Sequence, residues 1–127
     1  MAALLIVDDD EAIRDTLYDL FSDSHLCHVA DTADRAIGWL DQESYDVVLT
    51  DISMPGVSGV ELLGHVRQRQ PDTPVIVISG ITDRHHAEGL LRLGAFAYLL
   101  KPFRLEEVEQ CVESAIERHT QLVEGRG

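Results

Sequence analysis

The chain has 127 residues, 45% of them apolar, and a formal charge of −13. That length suits one domain with a buried core, and that apolar content argues against disorder. Ten basic residues against 23 acidic ones exclude direct nucleic-acid binding, which needs clustered Lys and Arg; a cationic protein partner or a bound metal cation suits the chain better. No apolar stretch nears the ~20 residues that span a bilayer, and Met1 to Val7 runs into acids without a basic leader. A cytoplasmic setting with no membrane partner is therefore expected. Cys27 and Cys111 lack CxxC spacing and read as buried thiols of a reducing compartment.

Apolar runs and helical patterns alternate five times. Leu4 to Val7 is a continuous apolar run, as in a strand covered on both faces. Ile13, Leu17, Leu20 and Phe21 follow at helical spacing. A weaker strand, Leu26 to Ala30, precedes a helix marked by Ala33, Ala36, Ile37 and Leu40. Val47 to Leu49 is the third strand, and Val60, Leu63 and Val66 mark the third helix. Pro71 and Pro74 introduce the fourth strand, Val75 to Ile78; Ala87, Leu90 and Leu91 form a fourth helix that Gly94 ends as a C-cap. Phe96 to Leu100 is the fifth strand. Leu105, Val108, Val112, Ala115 and Ile116 stripe a last helix that fades after Leu122. The expectation is one domain over 1–122 with a frayed tail over 123–127. This is (βα)5, an α/β fold with a doubly wound five-stranded parallel sheet. The flavodoxin-like strand order 2-1-3-4-5 fits it best.

Ligands of such sheets bind beyond the carboxyl ends of the strands, where the order reverses. Here that lies between strand one, which runs into Asp8-Asp9-Asp10, and strand three, which delivers Asp51. Carboxylates gathered so tightly call for a cation. Mg²⁺, or Mn²⁺ in its place, matches an all-oxygen set and takes one or two carboxylates plus phosphate oxygens, whereas zinc would favour His or Cys. Strand four ends in Ser79-Gly80, a hydroxyl followed by an accessible backbone N–H, and strand five ends in Lys101. Metal, ammonium and N–H donors make a pocket for a transferring phosphoryl group, with Asp51 as nucleophile forming an aspartyl phosphate.

These stretches resemble the receiver domains of two-component response regulators. The likeness covers essentially the whole chain and is carried by "LLIVDDDEAIR" (4–14), "VVLTDISMPGVSGVELL" (47–63), "VIVISG" (75–80) and "GAFAYLLKPF" (94–103). It implies that Asp9 contacts Mg²⁺ directly and Asp8 mainly through water. It implies that Asp51 is the phosphoacceptor and that the Ser53 backbone carbonyl completes the metal shell. Ser79 would turn toward the new phosphoryl group, Tyr98 would move inward behind it, Lys101 would pair with it, and the bond to Pro102 would be cis. The implied donor is a sensor histidine kinase or a histidine phosphotransfer protein of a phosphorelay. The implied output is a shift of the helix 4–strand 5–helix 5 surface toward a downstream protein or effector domain, dimerisation on phosphorylation included. Such a domain is a signalling switch that catalyses its own phosphoryl transfer and autodephosphorylation, not an enzyme with turnover. Ser53 stands where the family often has Asn and Gly80 where it often has Ala, which bears on the phosphoryl lifetime.

Plainer readings hold at several positions. Asp10 reads as a helix cap, and Met54-Pro55-Gly56 as a turn. The six histidines show no ligand spacing, Trp39 reads as surface packing, and the acids of the last helix read as a solvated face. A phosphatase with an aspartyl-phosphate intermediate would need an acid where Ser53 stands. A flavin binder of the same strand order would need N–H and hydroxyl donors where the first loop is acidic. A docking module that is never phosphorylated would not need the acidic pair, Asp51, Ser79 and Lys101 together. Whether the domain stands alone or belongs to a longer chain is open at this level.

Overall fold

The computed structural model describes residues 1–52 and 58–126, the last by its backbone. The elements alternate as expected: β1 (Ala3–Val7), α1 (Glu11–Phe21), β2 (Leu26–Ala30), α2 (Ala33–Gln42), β3 (Val47–Asp51), α3 (Gly59–Arg69), β4 (Val75–Ser79), α4 (Arg84–Arg92), β5 (Ala97–Leu100) and α5 (Leu105–Arg126). The sheet has the order β2-β1-β3-β4-β5, with all four pairings parallel.

The continuous apolar runs follow from two covered faces. Alternate residues of a strand point to opposite sides, and the core divides accordingly. Leu5, Val7, Val48, Val75 and Val77 pack with Leu40, Leu62, Leu63 and Leu90. Leu4, Ile6, Leu49, Ile76 and Ile78 pack with Leu17, Val108 and Val112. A polar residue anywhere in β1, β3 or β4 therefore stands out, because each large apolar side chain there contributes roughly 1.5–3 kcal/mol of burial.

Local signals set the helix ends. Asp10, Thr32, Ser58 and Asp83 each cap a helix by accepting backbone N–H bonds. Gly94 has φ 107°, and the amides of Ala95 and Gly94 close back on the carbonyls of Leu90 and Leu91, both at 3.1 Å. That is a glycine-terminated Schellman motif, which needs a residue free of Cβ strain. Strand limits differ slightly from expectation. Asp51 and Ser79 are the last residues of their strands, while Phe96 precedes β5 and gives its amide to Val75 at 2.8 Å. The last helix runs past Leu122 to Arg126; its final turns are exposed, so helical backbone bonding carries on where the apolar stripe has faded.

Candidate functional site

The sheet register builds the site. Leu4 to Val7 pair with Val47 to Thr50, so the residues that follow β1 and those that end β3 emerge side by side. Asp51 lies opposite Ile78 and Ser79 opposite Leu100, which brings Lys101 to the same edge. The Lys101 amide bonds the Ser79 carbonyl at 2.8 Å, tying the two strand ends together.

Carboxylate oxygens of Asp8, Asp9 and Asp51 lie within 4.8 Å of one another. Asp8 and Asp51 are buried, whereas Asp9 is exposed. The Lys101 ammonium stands 3.0 Å from Asp8 and 3.3 Å from Asp51. Burial works against that ammonium, but its hydrogen bond to Asp8 and the charges of Asp8 and Asp51 outweigh the loss and hold its pKa above the usual lysine value. Among the described residues the carboxylates of Asp8, Asp9 and Asp51 gather around the Lys101 ammonium, an excess of acid that favours a further cation. Opposite oxygens around an octahedral magnesium are about 4.2 Å apart, so this all-oxygen set fits such an ion with one carboxylate acting through water. Asp8 suits the water-mediated part: its Oδ1 accepts the Asp10 amide at 2.9 Å and its Oδ2 is held by Lys101.

The other expected residues sit around this group in different states. The buried Ser79 hydroxyl accepts the Ile81 amide at 3.0 Å. Gly80 is exposed, and a Cβ added there would meet nothing within 4 Å. Tyr98 is half-buried; its hydroxyl donates to the Ile81 carbonyl at 2.7 Å, and the His86 ring meets it edge-on at 6.0 Å. The Lys101–Pro102 bond is cis. Ser53 and the Met54-Pro55-Gly56 turn lie outside the described residues. Beside Lys101, an apolar cavity of about 590 Å³ runs between α1 and the β5–α5 connection, lined by Ile13, Thr16, Pro102, Phe103 and Leu105.

Two positioning features went unread in the sequence. A Cβ on Gly59 would lie 2.6 Å from the Asp51 carbonyl oxygen and from Ile52 Cα, so only glycine lets α3 start against the Asp51–Ile52 backbone. The buried Thr50 hydroxyl donates to that same carbonyl at 2.9 Å. A glycine directly after a Ser cap, at a helix position where glycine is a poor former, was the available signal for the first; the second carried none. Four histidines bond elsewhere: His25 accepts the Ala2 amide, His28 pairs with the Tyr45 hydroxyl, His65 meets Asp41 and His119 meets Asp46. Trp39 stacks on His28 at 4.1 Å and donates to the Val29 carbonyl. Cys27 is buried, but Cys111 is only half-buried on the flank of α5.

The family model for the response regulator receiver domain matches residues 4–113. The DNA-binding transcriptional regulator NtrC of Salmonella typhimurium is 35% identical over 122 residues, covering 95% of this chain and 26% of that protein. The chain thus spans about a quarter of the length of the curated relatives it matches. Among solved structures, a response regulator receiver domain protein from Clostridium thermocellum superposes with a TM-score of 0.89 at 29% identity, covering 96% of this chain and 99% of that one. The response regulator TrrA of Thermotoga maritima in complex with Mg²⁺-BeF superposes with a TM-score of 0.80 at 29% identity, covering 91% and 99%.

Proposed function

Because the chain belongs to the response regulator receiver domain family, we propose that it takes a phosphoryl group onto Asp51 in a reaction that depends on Mg²⁺ or Mn²⁺. The carrying observation is the three-carboxylate group held against the Lys101 ammonium at the strand ends. Asp9 and Asp51, with the Ser53 carbonyl, would hold the ion directly, and Asp8 through water. When bound, the ion neutralises phosphoryl oxygens and lets an anionic donor approach an anionic nucleophile.

The chain's own groups do the rest. An Asp51 carboxylate oxygen attacks the phosphorus of a phosphohistidine; the new O–P bond forms as the P–N bond breaks, and the imidazole leaves with the electron pair and picks up a proton. Lys101, already protonated and aimed at Asp51, stabilises the phosphoryl oxygens. The donor is a sensor histidine kinase or a phosphotransfer histidine, and the apolar cavity beside Lys101 offers it a contact surface next to the acids. After transfer the Ser79 hydroxyl exchanges the Ile81 amide for a phosphoryl oxygen, and Tyr98 leaves the Ile81 carbonyl to move inward. Those two exchanges shift the α4–β5–α5 surface toward a partner or an effector domain, because the phosphoryl group bonds differently in the two states. Water then hydrolyses the acyl phosphate. The domain is a switch, and its cytoplasmic placement follows from such donors.

Incubation with acetyl phosphate and Mg²⁺ followed by intact mass measurement tests this. One added phosphoryl group is expected, lost on hydroxylamine treatment and absent with a chelator or in Asp51→Asn. Full-rate labelling of Asp51→Asn would overturn the assignment. Gly80 leaves space where the phosphoryl group would meet water, and open surroundings let Gly80→Ala fold. That variant is expected to lose its label several-fold more slowly; an unchanged or faster decay would remove Gly80 from the account.

A further inference from the structure

Arg14 is the fourth residue of α1 and so lies in that helix's first turn. Aligned peptide dipoles there favour anions and disfavour a cation. Glu11 obeys that preference and Arg14 violates it. A residue that breaks a local rule is expected to gain its place from a tertiary contact. For Arg14 the contact is the backbone: its Nη1 donates to the carbonyl oxygen of Asp8 at 2.9 Å.

That bond completes the capture of Asp8. The Asp8 amide donates to the Ala30 carbonyl at 3.1 Å. Its Oδ1 accepts the Asp10 amide at 2.9 Å, and its Oδ2 accepts the Lys101 ammonium at 3.0 Å. Of the four polar atoms so held, the carbonyl oxygen has a special position. It shares one rigid plane with the amide nitrogen of Asp9. Whatever fixes the carbonyl fixes the direction in which the chain leaves Asp8, and with it the placement of the exposed Asp9.

We infer that Arg14 is a positioning residue for the cation site: by holding the Asp8–Asp9 peptide plane it keeps the Asp9 carboxylate within reach of Asp51. The inference rests on reading those carboxylates as a divalent-cation site. Its sign separates it from simple electrostatics. An arginine acting only as a nearby positive charge competes with an incoming cation, so its removal would tighten binding. An arginine holding the peptide plane does the opposite.

The test is magnesium binding to the full chain by calorimetry at fixed ionic strength, with amide NMR on the same samples. Arg14→Met keeps the aliphatic stem and removes the donors. Its magnesium dissociation constant is expected to rise about tenfold, the lower end of what outer-shell partners contribute. Its Asp9 amide resonance is expected to move even without magnesium. An unchanged or lower dissociation constant, or an unmoved Asp9 amide, overturns the inference and leaves the reading of the site intact. A wild-type protein that shows no magnesium-dependent change overturns both. Should Arg14→Met fail to fold, Arg14→Leu takes its place with the same outcomes.

Discussion

The two edges of the sheet use aspartate in opposite ways. At the edge where strands begin, Asp46 accepts the Ala3 amide at 2.6 Å and pairs with His119 at 2.8 Å. Around it, Gln70 donates to the carbonyls of Leu40 and Glu43 and accepts the Tyr45 amide, and the Thr73 hydroxyl donates to the Tyr45 carbonyl. Side chains there tie loops into the sheet, and each acidic oxygen of Asp46 meets a donor. At the edge where strands end, the carboxylates of Asp8, Asp9 and Asp51 gather, and Lys101 pairs with Asp8 and Asp51. The same residue type ties loops into the sheet at one end and is gathered into a group that could hold a metal ion at the other.

Substitution at each edge can break that contrast. The largest expected effect is on chemistry: Asp51→Asn should abolish labelling by acetyl phosphate while its thermal midpoint rises, since a like charge has gone. Asp46→Ala should do the reverse, labelling within about twofold of wild type but losing about 1–3 kcal/mol in a urea melt, because the Ala3 amide loses its acceptor. Equal destabilisation by both would erase the distinction. Gly59→Ala should cost about 1–3 kcal/mol through overpacking against the Asp51–Ile52 backbone and should also slow labelling, whereas an unchanged labelling rate would make that contact purely structural.

A smaller, pH-dependent effect belongs to the core beneath the edge strand β2. Burial pushes the Cys27 thiol from 9.0 up to about 11. The folded state therefore keeps a proton that the unfolded chain releases, and stability should fall as pH rises between those values, by up to about 1.4 kcal/mol per pH unit. Cys27→Ala should be less stable at neutral pH but flatter across that window in chemical melts. A wild-type slope matched by the variant would assign the loss to other groups.

Sequence alone determined the order of the elements, the parallel sheet and the identity of the acids at its edge. Continuous apolar runs record burial on both faces, and five such runs alternating with helical stripes leave few topologies. The caps at Asp10 and Gly94 were legible because they act within one turn of chain. The roles of Gly59, Thr50 and Arg14 were not, since each depends on a backbone carbonyl that the fold brings beside it. Nor could spacing tell Asp46 from Asp51, both of which border the same strand. Only the tertiary structure decided which one is gathered with other carboxylates. Parallel strands collect residues more than 40 positions apart in register, and local sequence carries no measure of that distance.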